Sequence, residues 1–162
     1  MGDARHGQLR PIDLDRPPLL LASPCELSPE PAAADDLVRL MHRDARTGVT
    51  KEFIAAGDYA DLVARQRSFE ALTAFGSFQV TLGIGDDAFR TGALGAGPGL
   101  MELLRVRPVV GRALNAADNR DDTPPVVMLG FDLWQERFGG DPGAVGRTLR
   151  FGTTEATIVG VA

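Results

Sequence analysis

Few of the residue types that carry catalytic or redox chemistry occur in this sequence. Its 162 residues include one cysteine, Cys25, one lysine, Lys51, one tryptophan, one tyrosine and two histidines, His6 and His42. A lone cysteine excludes an intrachain disulfide and a cysteine-rich zinc site. The single lysine follows Thr50 and not glycine, which excludes a Walker-type phosphate loop. Neither histidine has a neighbour at ligand or triad spacing, and no serine stands in a G-x-S-x-G context. Long apolar runs are missing as well. Leu19-Leu20-Leu21-Ala22, closed by Ser23-Pro24, cannot span a bilayer, and Pro17-Pro18 and Pro24 interrupt any secretory leader. As written, the chain is expected to be soluble and to stay where it is made. Basic residues number 17 against 22 acidic ones, for a net charge of −5. The arginines are spread along the chain, so no basic patch for nucleic acid forms.

What is present is the composition of a folded protein, with 44% apolar and 24% charged residues,. Residues 1–34 mix prolines, charges and alanines without period and read as a disordered or loosely attached arm. Leu37 to Met41 is short enough for a strand. Tyr59, Leu62 and Val63 fall at helical spacing, and Phe69, Leu72 and Phe75 predict a second short helix capped by Ser68. Phe78, Val80, Leu82 and Ile84 alternate along a strand, which turns at Gly85-Asp86-Asp87 and returns from Ala88 to Leu94. A helix near Pro98 carries Leu100, Leu103 and Leu104 and ends before Pro108. The continuous run Val126 to Leu129 reads as a buried strand, followed by a helix around Trp134 and a hairpin pairing Thr148–Phe151 with Ala156–Val161. This irregular interspersion predicts an α+β fold on a mixed or antiparallel sheet.

Two stretches invite a chemical reading. Gly92, Gly95, Gly97 and Gly99 lie between a strand and a helix, where a dinucleotide would bind. The spacing misses G-x-G-x-x-G because Leu100 takes the last position, and Pro98 removes an amide that a phosphate would need. No cofactor is expected. Asn115, Asp118, Asp121 and Asp122 offer oxygen ligands, but their spacing fails the EF-hand pattern, so a solvated turn is expected and no metal. The stretch "LWQERFGGDPGAVGRTLRFG", from Leu133, is a packing cassette. Trp134 and Phe138 share a helical face, and Gly139-Gly140 can stop the helix through a positive φ. Asp141 can cap a turn with Pro142 at its first position, and Gly146 ends it.

The order of short motifs resembles the MacB-like periplasmic core domain of ABC transporter permeases, in the duplicated, orphan type of that FtsX/MacB superfamily. The matching motifs begin with Asp58-Tyr59-Ala60-Asp61-Leu62, Ser68-Phe69-Glu70-Ala71-Leu72 and Val106-Arg107-Pro108-Val109-Val110-Gly111-Arg112. They continue with Val126 to Leu129, Leu133 to Pro142, Val145-Gly146-Arg147-Thr148-Leu149 and Ile158-Val159-Gly160-Val161. Coverage runs from about Asp36 to the C-terminus. Tyr59, Phe69, Gly111, Arg112 and Trp134 are the structural residues these motifs single out, with Phe138, Gly139, Asp141, Gly146 and Gly160.

The resemblance implies a non-enzymatic extracytoplasmic domain of two lobes, one porter-like and a smaller one inserted within it. Residues 35–106 would form the first part of the porter-like lobe and 107–162 the smaller lobe. Partners would be the permease's transmembrane helices, a separate ATPase subunit, and a periplasmic protein or cargo. The family's flanking helices and second lobe segment are not in this sequence, which implies a fragment. Phe78, Val80, Leu82 and Ile84 would then lack cover, leaving residues 36–162 marginal and self-associating or dependent on a partner. Ala55, Gly97 and Gly130 stand at helix starts where the family commonly has serine. Arg105 stands where it tends to have glycine, so that a positive φ there would be strained. Other classes remain open: a soluble ligand- or partner-binding module derived from the domain, and a small enzyme using Asp118 and Asp121.

Overall fold

A computed structural model describes residues 19–21, 36–51, 54–85, 87–120, 122–151 and 153–162. The chain divides into two compact units, one containing Val38–Leu72 and the other containing Thr73–Ala162 together with strand β1 (Leu19–Leu21).

In the first unit, β2 (His42–Arg43) and β3 (Thr50–Lys51) form a small antiparallel hairpin. The Asp44 carboxylate accepts from the Arg46 and Thr47 amides at 2.8 and 3.1 Å and shapes the turn,. The strand expected at Leu37–Met41 does not form. Among the described residues no strand pairs with that run, and Val38 and Met41 are exposed. Helix α1 (Ala56–Arg65) bears Tyr59, Leu62 and Val63 as half-buried residues, and its N-cap Ala55 makes no side-chain cap. Asp58 in the first turn and Arg65 in the last complement the helix dipole,. The second helix expected after Ser68 is absent. The Phe69 amide donates instead to Gln66 Oε1 at 2.9 Å, and the chain runs without helix to Phe75, which a long strand claims.

That strand, β4 (Phe75–Ile84), pairs antiparallel with β5 (Asp87–Ala96) through ten consecutive residue pairs, from Phe75 opposite Ala96 to Ile84 opposite Asp87. Gly85, at φ 58°, opens the two-residue turn between them,. Then come α2 (Leu100–Leu103), β6 (Val110–Gly111), β7 (Val126–Leu129), α3 (Phe131–Phe138), β8 (Thr148–Phe151) and β9 (Thr154–Val161). The strands lie in the order β6-β9-β7-β1-β5-β4-β8, and β8 also pairs with β9, so the sheet curls back on itself. Pairs β1–β7 and β7–β9 are parallel and the rest antiparallel, giving the mixed sheet of an α+β fold.

Two expectations change here. Leu19–Leu21 is no part of a loose arm: it is an internal strand, hydrogen-bonded to β5 on one side and β7 on the other. Three residues bounded by prolines carry no readable period, and the pairing is supplied by distant strands. Nor does the division at residues 106 and 107 separate two bodies. Strands from both sides of it share one sheet, and the units part between Leu72 and Thr73.

Apolar residues cover both faces of this sheet. Val127 and Leu129 join Leu82, Ala93, Leu149 and Ile158 against Leu133, Trp134 and Phe138 of α3. Val126 and Met128 point the other way, to Leu94, Ala96, Leu114 and the Leu100 and Met101 of α2. A strand buried on both sides has no polar face, which is why β7 reads as an unbroken apolar run. Of the four alternating residues thought to lack cover, Leu82 is fully buried and Val80 and Ile84 pack against the core; Phe78 alone is exposed.

Helix α2 ends in a Schellman-type turn, with the Val106 amide donating to the Met101 carbonyl at 2.9 Å and the Arg105 amide to Glu102 at 3.1 Å,. This geometry puts Arg105 at φ 52°, the only positive φ of a non-glycine residue among those described. A left-handed L-residue costs about 1–2 kcal/mol. Glycine relieves this but loosens the unfolded chain, so Arg105→Gly should stabilise by about 0.5–1 kcal/mol, read as a higher urea midpoint. An unchanged or lower midpoint would show that the arginine side chain compensates its backbone.

Candidate functional site: a clasp and a packing cassette

The residues singled out by sequence gather, within the second unit, into two structural groups. The first is a clasp at the end of the sheet. Val110 lies opposite Val161 and Gly111 opposite Gly160, while the Arg112 amide donates to the Val159 carbonyl at 2.9 Å. Gly111 sits at φ 74°, and a Cβ there would run into the Val159 carbonyl oxygen. A Cβ on Gly160 would run into the carbonyl oxygen of Arg112. Two backbones approach so closely that only hydrogen fits between them.

Arg112 locks this clasp to the acidic loop. Its two terminal nitrogens each donate to the Asp118 carboxylate at 2.7 Å, in a fork geometry,. Asp118 also accepts from the Asn115 amide at 2.9 Å, while Asn115 Oδ1 accepts from the Ala117 amide at 2.9 Å, closing a capping box on the 3₁₀ turn Ala116–Asn119,. Its side chain is only 4% exposed although the residue as a whole is half-buried, and Asp118 acts as a strut. Burial pushes its carboxyl up, but the Arg112 hydrogen bonds, the Asn115 amide and the guanidinium charge together hold it below its ordinary value,.

A carboxyl depressed in the folded state adds stability that is full above the ordinary carboxylate pKa and is lost as pH falls through the lower, folded value. Unfolding free energy should therefore fall from about pH 4 downward, with a shallower acid slope in Asp118→Asn than in the parent. Parallel acid limbs in urea titrations of the two proteins would remove Asp118 from the acid response.

The second group is the cassette around Trp134. Trp134 and Phe138 are buried against Leu149, Ala156 and Ile158 of the hairpin, and the Phe131 ring meets Trp134 edge-on at 5.7 Å,. The indole Nε1 donates to the Asp141 carbonyl at 2.9 Å, so its polar edge is satisfied inside the core. Helix α3 stops because both Gly139 and Gly140 take positive φ, at 61° and 72°,. The Asp141 carboxylate then accepts from the Gly143 amide at 2.8 Å, with Pro142 opening the 3₁₀ turn Pro142–Ala144,. Gly146, at φ 91°, donates to the Ile158 carbonyl at 2.8 Å, and the Ile158 amide donates to Arg147 at 2.9 Å. Arginines seal the rim: Arg147 lies 5.3 Å from the Phe138 ring centre and Arg137 4.3 Å from that of Phe89,.

Tyr59 and Phe69 lie in the first unit, where the Tyr59 hydroxyl donates to the Leu72 carbonyl at 3.4 Å. Gly92 and Gly95 are ordinary members of β5. Gly97 is not a helix cap. It pairs with the Ala74 carbonyl, whose oxygen leaves no room for a Cβ, and Gly99 at φ 79° caps α2 instead. Gly130 does stand at the start of α3, without a side-chain cap. In the acidic loop, Asp122 pairs with Arg120 at 3.1 Å, and Asp121 lies outside the described residues, as do His6 and Cys25. Among the described residues no three His, Cys, Asp or Glu side chains come together as metal ligands. Sequence reasoning missed the Arg112–Asp118 lock, although Asn115-x-x-Asp118 is a readable capping-box spacing.

The geometry thus defines an α+β body whose distinctive residues hold strands, turns and a helix end together. Residues 27–162 match the family model described as the MacB-like periplasmic core domain, and the chain belongs to that family. The family's domain is extracytoplasmic and forms part of ABC transporter permeases. Its fold is similar to the crystal structure of the periplasmic region of MacB from Actinobacillus actinomycetemcomitans, with a TM-score of 0.54 and 22% identity. That likeness covers 62% of this chain and 47% of the other, so the chain spans under half of the structure it resembles. Among curated proteins, none matches. No helix among the described residues is long and apolar enough to cross a membrane.

Proposed function

We propose that the chain acts as a non-enzymatic extracytoplasmic element of an ABC transporter permease, taking part in export or in mechanical coupling through contacts with a partner protein or cargo. Its working partners on this reading are the permease's transmembrane helices and, through them, a separate ATPase subunit. The observation that supports it is the use made of the family motifs. Gly111, Gly160, Arg112 and the Trp134 cassette all hold the sheet and its ends rigid, and a stiff body passes on a displacement applied at one end,.

The test is affinity purification of the tagged chain from its native cells after mild cross-linking, with separated membrane and soluble fractions. Recovery with the membrane fraction, in a complex with a permease polypeptide and its ATPase, is the expected result. A chain found wholly in the soluble fraction with neither partner would overturn the reading.

A further inference from the structure

We propose that the position between β5 and β7, held by Leu19–Leu21, is a strand-acceptor site: β1 is a resident plug whose place an extended aliphatic segment of another polypeptide takes. Strand β1 is the fourth of seven, in the middle of the sheet. It runs antiparallel to β5, with Leu19 opposite Gly95 and Leu20 opposite Leu94. It runs parallel to β7, with Leu19, Leu20 and Leu21 opposite Val127, Met128 and Leu129. Yet it is three residues long, and it lies outside residues 27–162, the part that matches the family model. Both walls of the slot lie inside that match. Among the described residues, β1 is thus the one strand of this sheet that the family's own segment does not supply.

Prolines limit how firmly the plug can hold. Pro17 and Pro18 directly precede Leu19, and Pro24 follows soon after Leu21. A proline has no amide hydrogen to give to a ladder and is confined to edges and strand ends, so the run able to pair in mid-sheet is at most residues 19–23. Strands β4 and β5, by contrast, pair over ten residues. The next strand of this sheet along the chain is β4, which starts at Phe75, so exchanging β1 breaks no hairpin.

The slot sets the chemistry of what it takes. Its wall residues Leu94, Val127, Met128 and Leu129 are all buried, and apolar clusters lie on both faces of the sheet here. Val127 and Leu129 belong to the cluster on the α3 side, Leu94 and Met128 to the one on the α2 side. A strand between such walls has no solvent face, so it must be apolar at successive positions and not at alternate ones. Leu19-Leu20-Leu21 meets this demand. The occupant is therefore a run of at least three uncharged aliphatic residues, free of proline and parallel to β7,. Main-chain hydrogen bonds supply its affinity and the apolar walls select its sequence, as in other cases of strand addition. The source this points to is a further segment of a permease polypeptide, since the likeness to the periplasmic region of MacB covers only 47% of that chain. That source rests on the permease reading, whereas the slot does not.

The probe is a fluorescein-labelled peptide of residues 16–24, added to the full chain and followed by fluorescence anisotropy. It should bind saturably, one peptide per chain. The same peptide carrying Leu20→Asp should not bind, because a charge taken into the middle of this sheet loses its water and meets only apolar walls,. Weakening the resident strand should help the incoming one. The full chain with Leu20→Asp should bind the unaltered peptide at least about tenfold more tightly, since the competitor that keeps the site closed is removed. Should that variant fail to fold alone, peptide present during refolding should restore its circular dichroism. A photoreactive leucine analogue at position 20 of the peptide should cross-link within β5 or β7. The proposal is overturned if neither chain binds the peptide, if the aspartate peptide binds equally well, or if the cross-links fall elsewhere. A chain that sediments as a dimer and is dispersed by the peptide would give the slot to a second copy, and would overturn the assignment to a different polypeptide. No permease takes part in these measurements, so their failure leaves the co-purification test standing, and failure of that test leaves the slot.

Discussion

Replacing Trp134 with alanine should lower the unfolding free energy by about 3–5 kcal/mol, a large share of what a domain of this size possesses. The indole is 5% exposed and sits where α3, the Asp141 turn and the β8–β9 hairpin meet, so its removal opens a cavity that three elements would have to close at once. It also takes the indole donor from the Asp141 carbonyl, which keeps only the Ala144 amide. Trp134→Phe separates these contributions, since it keeps an aromatic ring and loses chiefly the hydrogen bond, at about 1 kcal/mol. Urea unfolding followed by far-ultraviolet circular dichroism measures both. A loss under about 1 kcal/mol for Trp134→Ala would mean that the cassette is not the keystone of this core. In the parent protein the same burial should give a blue-shifted tryptophan emission, and emission at the wavelength of free indole would contradict it.

The second large effect is expected at Gly111. Alanine there must take φ 74° and press its Cβ on the Val159 carbonyl oxygen. The left-handed backbone costs about 1–2 kcal/mol and overpacking typically about 1–3 more, for a combined loss on the order of 2–5 kcal/mol. The contact is backbone on backbone, so no side chain can swing aside. Gly160→Ala tests the clasp from the opposite strand, where the obstacle is the Arg112 carbonyl oxygen and the backbone carries no positive φ. The smaller loss should therefore fall at Gly160. Amide exchange offers an independent readout, because the Arg112-to-Val159 and Val109-to-Val161 hydrogen bonds should open early in both variants,. Unchanged protection of those amides would show that the sheet end accommodates the methyl group.

Where the sequence read correctly, the physics was short in range. The ten-pair hairpin of β4 and β5 follows from alternation plus a glycine turn, and α3 from the spacing of Leu133, Trp134 and Phe138. The stop at Gly139-Gly140 and the Asp141-Pro142 turn follow from backbone conformations few other residues adopt. These signals reach no further than four residues, and whatever competes with them is equally close. At Arg105 it was the resemblance that implied a glycine-type position, and the arginine there does carry the positive φ.

Where it misread, two local preferences were overruled by a partner far along the chain. Phe69, Leu72 and Phe75 have helical spacing, yet Phe75 gains a strand partner in Ala96 and the short helix has no comparable gain. Leu19–Leu21 has no period to show, but two distant strands leave a gap that three extended residues fill, and hydrogen bonds on both sides hold them there. The parallel pairing of β7 with β9 is likewise invisible in either strand, since parallel neighbours need a crossover, here through α3, whose direction nothing in the strands records,. The Arg112–Asp118 fork depends on β6 delivering Arg112 to the acidic turn. Periodicity and capping act between residues a turn apart and so are written in the sequence; the order of strands and the joining of charges depend on which surfaces remain unburied once those local pieces exist.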